Sequence, residues 1–326
     1  MDKRKVIFDG DTGTDDAVAL IALLLADNVD VIGITSVHGN RPVNNTTDNN
    51  LRVVQFLGKD VPVYKGCGTA MVRHLTPGRD KNTIMQKLKA VVDGKEIRIH
   101  DATLDLPDPT KSEERMHACA FIVDTLMHTD TPIDIVAVGP LTNIGMALTM
   151  QPEIVKNIGT IYVMGGGLYK GNRTPVAEAN FYDDPEAAEI VLNSGAHVLL
   201  NAIEPNVEAA TYTKADVAEL KAIGTKSALF VADLIEKFMW RCLHLFGSDE
   251  SVCIHDYAAA APLIDPATVT ETKREICHVD FYGGMSDGML VVDRRKAPNE
   301  ANPVEVVYHM DGKRTHDLLN ELLKKF

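Results

Sequence analysis

The chain has 326 residues, of which 45% are hydrophobic, so it is long enough to bury a sizeable core. Its formal net charge is -13 and its 33 basic residues are scattered, which argues against nucleic acid or an acidic membrane surface as a partner. No apolar run suits a membrane span or a signal peptide, so we expect a cytoplasmic protein. Five cysteines without a Cys-x-x-Cys pair indicate buried thiols, not disulfides or a zinc site.

Strands and helices alternate along most of the chain. Apolar, β-branched runs predict strands at residues 6–8, 29–37, 61–64, 133–138, 158–164 and 197–200. Amphipathic spacing predicts helices from about residue 15, over 44–57 with a polar, capped start, over 113–127, 143–150 and 186–192, over 214–242 with a break near Gly224, and from residue 255. The alternation is typical of a parallel sheet with helices around it.

Two parts of the chain depart from this alternation. Residues 66–112 lack a clean period and predict a long excursion with one short helix over 84–92. Residues 272–281, 289–294 and 304–310 predict added strands, followed by a terminal helix. The expected fold is α/β, with an open, Rossmann-like, mostly parallel central sheet and extra strands near the C-terminus. We find no repeat or linker and expect one domain over 1–326.

The sequence Asp9-Gly10-Asp11-Thr12-Gly13-Thr14-Asp15-Asp16 places four carboxylates in eight positions, between the first strand and the first helix. Like charges this close repel each other and resist joint desolvation, so a cation, a proton or hydroxyl donors must compensate them. In parallel sheets, ligands bind beyond the carboxyl ends of the strands. The polar turns after Phe8, Val138 and Met164 are therefore expected to meet at one crevice.

Several explanations of the carboxylates were compared. An EF-hand loop is excluded, because its twelfth position needs a bidentate Glu and is Leu20 here. A phosphatase of the haloacid-dehalogenase type would share the Asp-x-Asp start, but Gly13 occupies the place of its usual Thr. Helix capping explains one aspartate better than four. Hard oxygen ligands suit calcium or magnesium, and hydrolysis by an activated water is the reaction class indicated.

The stretch from Asp9 to Ala17 resembles the N-terminal fingerprint of the nucleoside hydrolases, calcium-dependent enzymes that split nucleosides into base and ribose. Further blocks match the family in the same order: Gly39-Asn40, residues 138–143, 164–166, Asn172, 175–180, 184–188 and His255-Asp256. Together these blocks cover residues 6 to 256 and are far more specific than a single motif.

The resemblance implies a Ca²⁺ site and a catalytic base. The implied calcium ligands are the carboxylates of Asp11, Asp16 and Asp256 and the backbone carbonyl of Val138. Asp11 would also be the general base that acts on the calcium-bound water. Carboxylates around the sugar would stabilise the oxocarbenium character that develops as the bond breaks.

The resemblance also implies the substrate contacts. Asp15 would bind the ribose 2′-hydroxyl, and Asn180 and Asp256 the other diol contacts. The remaining implied contacts are Asn172 and Glu178 at the 5′-hydroxyl, Asp9 and Asn40 in support of the cluster, Met164 against the sugar, and His255 facing the departing base.

Three further side chains fall near positions that carry functional groups in the family. His100 falls near a lid histidine of the family, but Asp101 and Thr103 replace the glycines usual there. His244 and Trp240 fall where the family places base-contacting groups, although core packing or helix surface is the default for such residues.

The expected partners are a small-molecule nucleoside and further copies of the chain, in a homodimer or homotetramer. The preference for purine or pyrimidine bases stays open. Alternative functions are a magnesium-dependent phosphohydrolase that uses Asp9 or Asp11, and a nucleoside-binding protein without turnover.

Overall fold

The computed structural model describes residues 3–76, 79, 89–248, 250–295 and 303–326. Its strands are β1 (Arg4–Gly10), β2 (Val29–Ser36), β3 (Val63–Lys65), β4 (Ala90–Val92), β5 (Lys95–Ile97), β6 (Ile133–Ala137), β7 (Ile158–Met164), β8 (His197–Asn201), β9 (Thr211–Thr213), β10 (Ser251–Cys253), β11 (Val269–Val279), β12 (Leu290–Asp293) and β13 (Val304–Met310). Its helices are α1 (Thr14–Leu25), α2 (Val43–Phe56), α3 (Ala118–Met127), α4 (Thr142–Met150), α5 (Ala179–Asp183), α6 (Pro185–Leu192), α7 (Ile203–Ala210), α8 (Lys214–Ile223), α9 (Lys226–Phe246), α10 (His255–Ile264) and α11 (Gly312–Leu323).

The central sheet has the strand order β12-β11-β13-β8-β7-β6-β1-β2-β3. All pairings from β13 to β3 are parallel, whereas β11 runs antiparallel to both β13 and β12. The expected α/β class, with a mostly parallel sheet and extra C-terminal strands, is thus confirmed. The sheet takes strands from both ends of the chain.

Helices cover both faces of this sheet, as the apolar residues of β1 illustrate. Val6 and Phe8 point to the side of α1, α9 and α10, while Ile7 between them points to α3, α4 and α6. All three side chains are fully buried. This double burial explains why the central strands are continuously apolar and not alternating. Within the described ranges, no helix combines the length and apolar character that a membrane crossing requires.

Several predicted boundaries differ from the structure. The helix expected from residue 113 begins at Ala118, because Glu114 instead pairs with Tyr64 in an isolated parallel bridge beside β3. Of the helix expected over 84–92, residues 84–88 lie outside the described residues, and residues 90–92 form β4, paired with β5. The break at Gly224 is confirmed, since this glycine adopts φ +77° and ends α8. Helices α5 and α7 were not predicted.

Candidate active site

The carboxyl ends of four adjacent strands, β7, β6, β1 and β2, open into a cavity of about 780 Å³. Most of the site residues expected from the sequence line this cavity: Asp11, Asp15, Asn40, Val138, Met164, Asn172, Glu178, Asn180, His255 and Asp256. Asp9 and Asp16 are fully buried and lie behind its wall. The structure therefore brings together side chains from the whole length of the chain at one edge of the sheet.

The turn between β1 and α1 holds its carboxylates by local hydrogen bonds. The backbone N–H of Gly13 donates to Oδ2 of Asp16 at 2.9 Å, which caps the start of α1. Asp15 and Asp16 lie in the first turn of that helix, where the exposed N–H groups favour negative charge. Next to this turn, Gly39 has φ +155°, and a Cβ there would overlap the carboxylate of Asp11. Glycine is therefore required for the close approach of the β2 turn to Asp11.

Four buried carboxyl groups converge at the floor of the cavity. One carboxylate oxygen from each of Asp15, Asp16 and Asp256 lies within 4.8 Å of the other two. The carboxyl of Asp16 also lies within hydrogen-bond reach of both Asp11 and Asp256. Each of the four side chains is at most 8% exposed. Burial, and then the neighbouring carboxylates, raise the pKa values of Asp11 and Asp256 well above the usual range, and burial raises that of Asp16.

The donor set of this cluster fits a hard divalent cation. Among the described groups, no hydrogen-bond donor reaches Oδ1 of Asp15 or Oδ1 of Asp16, although both atoms are buried. Buried anionic oxygens without donors are costly unless a positive charge satisfies them. The carbonyl of Val138 accepts one hydrogen bond, from Nδ2 of Asn180 at 2.9 Å, and keeps a second lone pair. Clustered carboxylates with a carbonyl are the ligands that Ca²⁺ prefers.

Asp9 and Asn40 support the cluster from behind and from the side. Asp9 accepts hydrogen bonds at Oδ1 from the hydroxyl of Thr35 and from Nδ2 of Asn143. Burial outweighs these bonds and raises the pKa of Asp9 to about 6. Asn40 donates from its backbone N–H to Asp11 and from Nδ2 to Oδ2 of Asp16 at 3.1 Å. Asn40 thus holds two of the acidic side chains together. The role of Asn143 as a donor to Asp9 was not expected from the sequence.

Glu178 and its neighbours form the wall where β7 ends. Glu178 caps α5 by accepting the backbone N–H groups of Asn180 and Phe181, and it also accepts the backbone N–H of Gly166 at 3.0 Å. Burial nevertheless raises the pKa of Glu178 to about 7. Nδ2 of Asn180 donates to the carbonyls of Val138 and Met164, which fixes its side-chain oxygen. The exposed Asn172 accepts the backbone N–H of Ala179 at 2.9 Å.

The opposite wall carries histidine and apolar side chains. Nδ1 of His255 lies 3.4 Å from Sγ of Cys253, and burial lowers the pKa of His255 to about 4, so the ring is neutral near pH 7. His100 lines the cavity and packs on Phe238, with ring centroids 5.4 Å apart. Burial lowers the pKa of His100 to about 3. Phe238 was not singled out in the sequence, because its helical spacing resembles that of any core residue.

Trp240 and His244 do not line the cavity. Both are exposed on the surface of α9, and their rings are in tilted contact with centroids 4.3 Å apart. Both residues therefore occupy the helix-surface positions that are the default for such side chains. His38, by contrast, lines the cavity, and its signal in the sequence was its place directly before Gly39-Asn40.

Comparison with known proteins agrees with this geometry. Residues 6–317 match the family described as inosine-uridine preferring nucleoside hydrolase. The chain belongs to that family. It is 31% identical over 325 residues to a pyrimidine-specific ribonucleoside hydrolase RihA of Escherichia coli O1:K1, and the alignment covers 98% of each chain. A RihA of Citrobacter koseri is 32% identical over 324 residues, covering 98% of this chain and 97% of the relative.

Solved structures of nucleoside hydrolases share the whole fold. The plant nucleoside hydrolase PpNRh1 superposes with a TM-score of 0.84 at 28% identity, covering 98% of this chain and 99% of that one. A purine-preferring ribonucleoside hydrolase from Gardnerella vaginalis gives 0.83 at 27% identity, with the same coverage. As a nucleoside hydrolase, the protein is an enzyme of the N-glycosyl hydrolase class.

Proposed function

We propose that the protein hydrolyses the N-glycosidic bond of ribonucleosides to free base and ribose, with Ca²⁺ as its cofactor. The observation that carries the proposal is the cluster of Asp11, Asp15, Asp16 and Asp256 at the floor of a nucleoside-sized cavity. Buried oxygens of Asp15 and Asp16 lack donors among the described groups. A bound cation and the hydroxyl groups of a sugar would supply the partners that these oxygens need.

The proposed calcium ligands are Asp11, Asp16, Asp256 and the carbonyl of Val138. Bound there, calcium supplies positive charge that lowers the pKa of a water molecule at the site. Asp11 is the proposed base and takes the proton of that water. The backbone N–H of Asn40 donates to Oδ2 of Asp11 and so holds this carboxyl in place. A base that is held in place needs no reorientation before it accepts the proton.

The proposed ribose contacts surround the sugar with oxygen atoms. Asp15 accepts the 2′-hydroxyl, Asn180 and Asp256 bind the remaining diol, and Asn172 and Glu178 bind the 5′-hydroxyl. Met164 packs against the ring. Because Asn180 uses Nδ2 on the carbonyls of Val138 and Met164, its Oδ1 is the atom left to face the sugar. Negative charge and amide oxygen on this wall stabilise the positive charge that develops on the ribose as the base leaves.

His255 is the proposed assistant to the departing base. Its Nδ1 lies 3.4 Å from the sulfur of Cys253, whose thiol can donate to that nitrogen. In this tautomer the ring proton is on Nε2, which is then the atom that can donate to the departing base. Apolar side chains of this wall, including Phe238 and Val252, give the base a surface to pack on.

One assay tests the proposal against its alternatives. Purified protein is incubated with inosine or uridine in the presence of calcium, and reducing sugar is measured alongside phosphate released from nucleotides. Ribose release that is lost with EGTA and restored by calcium is the expected result. Phosphate release without ribose would support the phosphohydrolase, and nucleoside binding without product would support a binding protein. The ratio of the rates of ribose release from inosine and from uridine gives the base preference.

Two properties of the whole chain are also proposed. We propose one domain over residues 1–326, because strands from both ends share one sheet.

We propose a homo-oligomer, a dimer or a tetramer, because Tyr282 and Met285 are 88% and 95% exposed on the loop between β11 and β12. Large apolar groups in such positions are often covered by a second copy. Sedimentation equilibrium of the wild type measures the assembly.

A further inference from the structure

A second cluster of metal-binding side chains lies on the other side of Asn143 from the acidic site. Cys67 follows β3, while His117 and Cys119 lie at the start of α3. The two sulfurs are 3.7 Å apart, and one ring nitrogen of His117 lies within 4.8 Å of both. The sequence did not suggest this group, because Cys67 is distant from the other two and no Cys-x-x-Cys pair is present.

The geometry points to a site for a thiophilic divalent cation of the Zn²⁺ class, and we propose that Cys67, Cys119 and His117 bind it. Two sulfurs that bind one tetrahedral zinc at about 2.3 Å lie about 3.8 Å apart, which matches the spacing here. A disulfide would require the sulfurs to approach to about 2.05 Å. Two cysteines with one histidine are a usual zinc donor set, and a fourth position stays open to water because His117 is exposed.

The surroundings of Cys119 suit a thiolate once a cation is present. The neighbouring Cys67 and burial raise the pKa of the Cys119 thiol far above its usual range, so this thiol is protonated in the absence of metal. A bound cation reverses that balance, and binding releases the proton to solvent. Cys119 also lies in the first turn of α3, where the helix dipole favours negative charge.

One side chain links this cluster to the acidic site. Oδ1 of Asn143 accepts the backbone N–H of Cys67 at 2.8 Å and faces the thiol of Cys119 at 3.8 Å. Nδ2 of the same amide donates to Asp9. A cation bound at Cys119 replaces the thiol proton that faces Oδ1 of Asn143, so this amide loses one donor. A cation at the cysteines therefore acts on the amide that holds Asp9, without touching the carboxylates.

The test uses cobalt as a spectroscopic probe of the full-length, reduced protein, with the acidic cluster saturated by calcium. Addition of Co²⁺ should give one equivalent of binding with a sulfur-to-cobalt charge-transfer band, and Zn²⁺ should displace it. Carboxylate ligands give no such band, so the two metal sites are distinguished. The band should disappear in Cys67→Ser and Cys119→Ser. His117→Ala should weaken Co²⁺ binding by more than the roughly 10- to 100-fold that loss of an outer partner costs.

The matched control is Cys277→Ala, which removes a buried thiol of β11 and should leave the band intact. A second measurement needs no variant: Zn²⁺ should protect the half-buried Cys67 of the wild type from alkylation by iodoacetamide, as read by peptide mass spectrometry. Co²⁺ binding without a sulfur band, a band that survives Cys67→Ser, or alkylation that Zn²⁺ does not slow would each overturn the proposal.

Discussion

Asn143, near the start of α4, donates from Nδ2 to Oδ1 of Asp9 at 2.8 Å and so joins two residues that are 134 positions apart in the chain. The same amide also donates to the carbonyl of Ser36 and accepts the N–H of Cys67. All of these contacts are buried or nearly so. Asn143 is thereby a structural support of the acidic cluster, and it reaches three strands at their carboxyl ends.

We expect Asn143→Ala to destabilise the protein by about 1 to 3 kcal/mol, because Asp9 and the Ser36 carbonyl lose their donor inside the core. Urea unfolding measures this loss, and calcium titration should show weaker binding. Asn193→Ala is the control, since the Asn193 side chain donates to the carbonyls of Glu189 and Cys277, away from the site. Equal effects of the two variants on calcium affinity would contradict a supporting role.

Asp11→Asn should lower kcat by at least about a hundredfold, the usual contribution of a positioned base. The amide keeps the size of the carboxyl and still accepts the N–H of Asn40, so the fold should be retained. Steady-state ribose release from inosine gives kcat. The exposed Asp27→Asn serves as control and should behave as wild type. A kcat near normal in Asp11→Asn would exclude this residue as the base.

Glu178→Gln should change how stability depends on pH. The pKa of Glu178 is about 7 in the folded protein and about 4.3 in an unfolded chain, so protonation favours the folded state. This contribution is complete below about pH 4 and is lost as pH rises through 7, a loss of about 3.7 kcal/mol at most. Urea unfolding in EGTA at pH 5 and pH 8 should show a smaller decrease for Glu178→Gln. Parallel changes in wild type, variant and the exposed Glu236→Gln control would refute the assignment.

His255→Ala should distinguish substrates by their leaving group. Natural bases need help from a proton donor as they depart, whereas nitrophenolate leaves without it. The variant should therefore lose kcat on inosine or uridine by about a hundredfold or more and keep most of its activity on 4-nitrophenyl ribofuranoside. His244→Ala, a change on the α9 surface, is the control. Equal losses on both kinds of substrate would mean that His255 acts on the sugar or the fold instead.

Arg79 joins the excursion after β3 to the C-terminal part of the sheet. Its guanidinium, 2% exposed, bonds to Glu186 at 2.8 Å and to Asp287 at 2.7 Å. Arg79→Met leaves two carboxylates without their buried partner and should cost about 3 to 5 kcal/mol of unfolding free energy. Lys89→Met, which removes the exposed pair with Glu96, should cost under about 1 kcal/mol. Similar losses in urea unfolding would contradict the stabilising role of Arg79.

The sequence by itself determined the fold class and the place of the site. Continuous apolar runs such as 133–138 mark strands buried on both faces, and polar turns after them mark the edge where ligands bind. These signals are local, since each depends on residues a few positions apart. Asp9, Asp11, Asp15 and Asp16 could be singled out for the same reason, because their crowding is visible along the chain.

Only the tertiary structure decided which distant groups meet. Asp256 reaches Asp16 because α10 packs on α1, and Cys67 reaches Cys119 because β3 lies at the edge beside α3. The direction of β11, the start of α3 at Ala118 and the formation of α7 likewise depend on strand pairing and packing. Hydrophobic periodicity carries no information on strand order or register, so such contacts between remote residues appear only once the sheet has assembled.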